Sequence, residues 1–356
     1  MPHFVISYAL IAASLVCAFP VLADEAHEVT HRRHVALELQ EGYISGEGEH
    51  RYTLDLDRTL ALRFHDDPVV NLQSQWGLHG GFAIDRRPGQ GHVYLYAPRI
   101  GVYRVSPDLT SKELLIPEED FGRGANLHNM TFFVSEAGGA FLALTSNNRS
   151  AVWIYTVDGE RVHELTHPDH NDYYRNGGKF SPTDSDFIDG KLYVTTGYSP
   201  GDYIVTADPF TGEWLPEFFG GKGDADGQFK TAHGITAHPH DHSLVVSDRE
   251  HHRGQIFAPS GDLERVVPIP HRPCDVDYHP DDPGLAVVAG LAGPILILSD
   301  HEVIATIRPR DEIKIPLARH IHNAAFLVID GRTHILAQSW NPGMVFVLKP
   351  VPITAP

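Results

Sequence analysis

Six residues able to bind a metal or carry a proton recur at one place in a repeating frame: His79, His128, Asp184, His233, Cys274 and His322. Successive gaps between them are 49, 56, 49, 41 and 48 residues. Three imidazoles that converge on a point and leave a fourth position open form the ligand set of a catalytic zinc. A single histidine in a strand is ordinarily a satisfied polar residue. The metal reading therefore depends on what the spacing does to the set.

The elements around these residues supply that answer. Their openings are LHGGFAID from Leu78, LHNMTFFV from Leu127, TDSDFIDG from Thr183, AHGITAHP from Ala232, PCDVDYHP from Pro273 and IHNAAFLV from Ile321. Longer alternating runs follow, such as HVYLYA, AFLALTS, KLYVTTG, SLVVSD, LAVVAG and THILAQS, with turns such as Asp158-Gly159, Thr211-Gly212 and Ser260-Gly261. Alternation with a period of two, bounded by turn residues, marks strands, and helical periodicity is scarce. A four-stranded unit repeated at this interval predicts an all-β, six-bladed β-propeller, in which each blade buries its faces against two neighbours. The run RYTLDLDRTLALRF, Arg51 to Phe64, is expected to supply the outer strand of the last blade and close the ring.

In a propeller the first strand of every blade surrounds the central channel, so one register in all six is a ring about the axis. His128, His233 and His322 fall on alternate blades, about 120° apart by geometry alone. They are the predicted metal ligands. His79 is a fourth histidine at the same register that the alternation does not explain.

Composition narrows the function. The formal net charge is −18, which disfavours nucleic acid and anionic lipid as partners. The apolar stretch FVISYALIAASLVCAFPVL from Phe4, with Pro20 inside it and Ala23 after it, reads as a secretory signal rather than a membrane span. Cys17 raises a lipoprotein alternative, which Val16 before it disfavours. The expected organisation is a signal peptide over 1–23, an N-terminal arm over 24–48 and the propeller over 49–356. The expected location is periplasmic or secreted, as a monomer without membrane insertion. Cleavage would leave only Cys274, so no intrachain disulfide is expected.

FSPTDSDFIDGKLYVTTGY, GDADGQFKTAHGITA and LVVSDREHHRGQIF together resemble peptidyl-α-hydroxyglycine α-amidating lyase (peptidylamidoglycolate lyase), an enzyme related to the NHL-repeat propellers. The likeness is clearest from Phe180 to Phe257. It implies a six-bladed propeller with zinc on three histidines, which match His128, His233 and His322. It also implies a catalytic tyrosine matching Tyr198, and arginines matching Arg249 and Arg99. A second, structural calcium would fall on the Met130 carbonyl and on Asn323, although aspartate is usual at the latter position. The family's disulfides are absent, SPGD follows Tyr198, and His320 stands where the family has methionine.

The second strands end on one face of the ring, with Arg99, Asn147, Tyr198, Arg249, Gly290 and Trp340 at the rim. With His79 and His320, these line a mouth suited to a small carboxylate-bearing substrate, since a guanidinium matches a carboxylate in two places. A tyrosine beside a metal and an arginine can serve as general base. The expected reaction is C–N cleavage of an α-hydroxyglycine to an amide and glyoxylate. Packing explains some of these residues equally well. Arg249 can pair with Asp248 or Glu250, Tyr198 and Trp340 can pack between blades, and Cys274 can be an inert buried thiol. His251, His252 and the HPDHND loop from His167 are expected at the surface. A non-catalytic NHL-type propeller with a structural metal, presenting its rim to a protein or glycan, is the alternative. A calcium lactonase is disfavoured by the few channel carboxylates expected.

Overall fold

The computed structural model describes residues 39–62, 77–169, 171–341 and 343–352. The predicted signal peptide lies outside these residues. So do much of the predicted arm and the end of the run to Phe64.

The chain forms a six-bladed β-propeller. β1 (Ile44–Glu47) and β2 (His50–Leu54) come first. Blade one follows as β3 (Phe82–Ile84), β4 (Val93–Ala97), β5 (Gly101–Val105) and β6 (Lys112–Pro117). Blade two is β7 (Leu127–Val134), β8 (Ala140–Ser146), β9 (Ala151–Thr156) and β10 (Arg161–Leu165). Blade three is β11 (Asp184–Ile188), β12 (Lys191–Thr195), β13 (Tyr203–Asp208) and β14 (Glu213–Gly220). Blade four is β15 (Ala232–Ala237), β16 (Leu244–Asp248), β17 (Arg253–Phe257) and β18 (Leu263–Pro268). Blade five is β19 (Arg272–Tyr278), β20 (Leu285–Leu291), β21 (Ile295–Ser299) and β22 (Glu302–Ile307). The last blade has β23 (Ile321–Ile329), β24 (Arg332–Ser339) and β25 (Met344–Pro350), completed by β2 and β1.

Alternating side chains leave both faces of each blade apolar, and neighbouring blades bury those faces against each other. Six apolar clusters result among the described residues, one between each pair of neighbours. That burial is the main favourable contribution to the fold.

The ring closes through pairing of the two ends of the chain. Tyr52, Thr53 and Leu54 pair with Pro350, Lys349 and Leu348. The predicted closing strand is thus present but shorter than Arg51 to Phe64. After Leu54 the chain turns into a helix, Leu56–Ala61. Asp55 explains the break: its carboxylate accepts from the Arg58 amide at 3.2 Å and caps the first turn, with Asp57 favouring the helix N-terminus. β1 adds a fifth strand outside β2.

Because Leu54 is fully buried where the ends meet, Leu54→Ala is expected to lower the unfolding free energy by about 2–5 kcal/mol. Leu114→Ala, on the exposed outer strand β6, should change it by less than about 0.5 kcal/mol. Denaturant titration of both variants checks the contrast.

Candidate metal centre

Four histidines meet at one end of the channel. His79, His128 and His322 each bring a ring nitrogen within 4.8 Å of the other two. The His233 ring centroid lies 4.6 Å from that of His128 and 4.9 Å from that of His322. All four side chains are buried. Of the four, His79, His128 and His322 are the buried group close enough together to hold a metal ion, with His233 beside them.

A backbone irregularity delivers three of them. The register of β7 with β8 shifts between Leu127 and Asn129, and that of β23 with β24 between Ile321 and Asn323. The β15–β16 register shifts between Ala232 and Ile235. His128, His322 and His233 therefore sit in β-bulges, where an extra residue re-aims a side chain out of strict alternation. Cys274 sits in a fourth bulge, between Pro273 and Asp275. Its thiol is buried, and burial pushes its pKa up to about 12.

Blade three lacks the bulge. Asp184 pairs directly with Thr195, so it does not join the histidine ring with which the sequence aligns it. It falls one residue deeper, into a layer with Asn129, Asp275 and Asn323. There its carboxylate accepts from the Ile235 amide at 2.9 Å. Burial, then the Asp275 charge, raises its pKa well above the usual range.

Hydrogen bonds fix the tautomers. His128 Nδ1 lies 2.6 Å from the Thr183 carbonyl, and His233 Nδ1 lies 2.8 Å from the Cys274 carbonyl. A carbonyl only accepts, so both rings carry their proton on Nδ1 and keep a lone pair on Nε2. Asn323 Nδ2 donates to Asp275 at 2.9 Å and to Asn129 at 3.2 Å, which turns its Oδ1 toward His322 Nδ1 at 2.7 Å. His322 therefore has the same tautomer. Buried His128 Nε2 and His322 Nε2 have no protein partner.

His79 differs. It precedes β3, and its Nδ1 faces Asn126 Nδ2 at 3.0 Å, while the same amide donates to Asn147 Oδ1 at 2.9 Å. His79 thus accepts at Nδ1 and carries its proton on Nε2. Its ring stacks on Trp340 at 5.0 Å, and Trp340 in turn stacks on His320 at 6.0 Å.

Tyr198 and Arg249 complete the well. Arg249 Nη1 donates to the Tyr198 hydroxyl at 3.2 Å, and that hydroxyl donates to His233 Nε2 at 3.3 Å. Arg249 also holds Glu250 through Nε at 3.1 Å, so it makes both the structural and the site contact. Burial raises the Tyr198 pKa, while the Arg249 charge pulls against it. No known protein-family model matches the chain, and no curated protein matches it.

The remaining predicted residues are distributed as follows. Arg99 lies exposed in the turn after β4, with φ of 64° and its amide donating to Glu118 at 3.0 Å. Met130 is buried in the cluster between blades one and two. The Asn323 side chain is committed at both ends, with its oxygen on His322. His251 corrects the surface expectation: its two nitrogens lie 2.7 Å from Asp248 and 3.0 Å from Asp224. His252 is exposed as expected.

Several positioning residues carry no recognisable signal in the sequence. Thr183 and Cys274 act through their carbonyls, and Asn126 through a loop amide. Asp202, from the SPGD corner, accepts from the Thr231 amide at 2.5 Å and the Ala232 amide at 2.8 Å, bracing the backbone just before His233. An acidic residue in a Pro-Gly corner was the one readable hint.

Burial is the first cause lowering every histidine pKa here; neighbouring imidazoles add to it at His128, and Arg249 at His79, His233 and His322. His322 is lowered to about 4. Between the unfolded value of 6.5 and about 4, the unfolded chain binds a proton that native His322 refuses. This contribution to stability is present above pH 6.5 and is lost as pH falls toward 4. Chelator-treated wild type is expected to lose about 2–3 kcal/mol more than His322→Gln between pH 7 and pH 4, read by denaturant unfolding at both pH values.

Proposed function

We propose that His128, His233 and His322 hold zinc, and that the protein is an exported lyase similar in chemistry to peptidylamidoglycolate lyase. It would cleave the C–N bond of an α-hydroxyglycine-type substrate to an amide and glyoxylate. The observation that carries this reading is the shared tautomer of the three histidines beside the Arg249–Tyr198–His233 hydrogen-bond chain. Each of the three has its outward proton held by an oxygen, the arrangement that orients imidazole ligands in metal sites. Neutral imidazoles are also the donors that suit zinc.

Bound zinc would polarise a substrate hydroxyl and lower its pKa, and it would favour the phenolate of the tyrosine beside it. The protein's own groups supply the rest. Once the His233 lone pair is engaged elsewhere, the Tyr198 hydroxyl loses its acceptor and is free to meet a substrate hydroxyl. Arg249 keeps donating to the phenol oxygen and so favours its ionised form. Tyr198 takes the proton from the carbinol oxygen, the C–O bond becomes the aldehyde of glyoxylate, and the C–N pair leaves with the amide nitrogen. Returning the proton to that nitrogen balances the step. Two of the five Arg249 N–H groups are engaged by Tyr198 and Glu250. The others suit the substrate carboxylate.

His79 belongs to the substrate wall in this reading. With its proton on Nε2 it donates into the well, and Trp340 backs it. The rim of Asn147, His320 and Trp340 would then frame a small ligand, and Arg99 stands farther out. A calcium on Met130 and Asn323 has little support, because the Asn323 oxygen is already used.

Metal analysis of chelator-free protein is expected to find about one zinc per chain, lost in His128→Ala and His233→Ala and kept in His79→Ala. Tyr198→Phe should retain the metal and lower glyoxylate release from α-hydroxyhippurate by about 10²–10⁴-fold. Zinc without any glyoxylate from wild type would favour the non-catalytic, partner-binding propeller.

A further inference from the structure

A cavity of about 470 Å³ opens between blades four and five, away from the histidine well. Its cause is a single position in the repeat. In the third strand of each blade, one residue near the rim end faces the next blade. It is Val102, Val152, Ile204, Ile295 and Val345 in five blades, all buried, and Gly254 in the fourth. The strand partner of Gly254 is Ser247, itself small. Two residues farther down the same pair of strands, Val245 and Ile256 fill the face normally.

Neither backbone nor neighbours demand this glycine. Its φ is not positive, and a Cβ placed there would meet only Val245 Cγ2, at an ordinary 3.6 Å. A glycine inside a strand costs about 0.5–1 kcal/mol relative to alanine and often marks the close approach of a ligand. The surrounding cluster is also the most open of the six. Most of its members, including Val245, Ile256, Val276 and Leu298, keep 5–9% exposure, while the buried members of the next cluster, between blades three and four, stay at 0–3%.

A second observation points to an occupant. Ser247 is 2% exposed, and its hydroxyl, on the wall of this cavity, has no hydrogen-bond partner. An unpaired buried hydroxyl costs about 1–3 kcal/mol. The apolar walls around it suit a chain, and at the inner end the cavity offers one polar atom. The charged lining residues Asp241, Glu264, Arg265, Asp300 and His301 are all exposed. A charged head would be left unpaired beside Ser247, at a large cost. The volume falls in the usual range for small-molecule sites, about 300–1,000 Å³.

We propose that this interblade cavity binds an uncharged aliphatic molecule carrying one hydrogen-bonding oxygen, such as a medium-chain alcohol, with the oxygen on Ser247 and the chain between Val245, Ile256, Val276, Val288 and Leu298. The site is independent of the metal centre and of the reaction assigned to it.

Isothermal titration of the full protein with 1-octanol tests it, with octanoate as the charged counterpart. Wild type is expected to bind 1-octanol saturably and octanoate at least tenfold more weakly. Gly254→Val, which restores the side chain of the other blades, should raise the thermal midpoint and weaken 1-octanol binding more than tenfold. Ser247→Ala leaves the space intact and should weaken 1-octanol about fivefold, the worth of one hydrogen bond. Zinc content should be unchanged in both variants. Absence of saturable binding to wild type, equal binding to Gly254→Val, or tighter binding of octanoate than of 1-octanol would each overturn the proposal. If Gly254→Val does not fold, the wild-type and Ser247→Ala titrations decide.

Discussion

The candidate site depends on hydrogen bonds from Nδ1 of histidines held in bulges. His128 donates to the carbonyl that leads into blade three, and His233 to the inner strand of blade five. Each imidazole is therefore aimed by its neighbouring blade. A strand in strict alternation would place these side chains differently; the extra residue turns them inward, and the neighbouring carbonyl then decides which nitrogen faces the axis. His322 reaches the same state through Asn323, which is itself held by blades two and five. Apolar packing between blades thus fixes the protonation pattern of the well.

Around that core the charges are placed sparingly. Burial opposes protonation of every imidazole in the well, with Arg249 adding to it at His79, His233 and His322 and the neighbouring imidazoles at His128. Arg249 is held by Glu250, and Asp202 braces the backbone that leads into His233. Among the described residues the buried channel carboxylates lie below the histidine layer, at Asp184, Asp186, Asp275 and Asp277, more than the few expected from the sequence. A neutral, nitrogen-rich layer thus lies above an oxygen-rich one, which keeps borderline donors apart from hard ones.

Much of this was legible from spacing alone. The repeat revealed the blade count, and alternation of blades brought His128, His233 and His322 into one cluster. What the spacing concealed was register. Asp184 aligns with the histidines in sequence, yet blade three has no bulge there, and it drops a layer deeper. No composition signal distinguishes a bulged strand from a regular one. The closing strand is shorter than its apolar alternation implies, because Asp55 caps a helix that begins at Leu56. His79 matched the ring register, but only its contact with Asn126, from a loop, reveals its opposite tautomer. The meaning of Gly254 likewise emerges only when five other blades show a valine or isoleucine at its place.

The most direct test of the account is an anomalous diffraction map at the zinc absorption edge from crystals of the full protein grown with zinc. The account predicts one peak about 2.0–2.1 Å from Nε2 of His128, His233 and His322, with His79 outside the coordination shell. A peak ligated by His79 in place of His233, or no peak within the well, would contradict it.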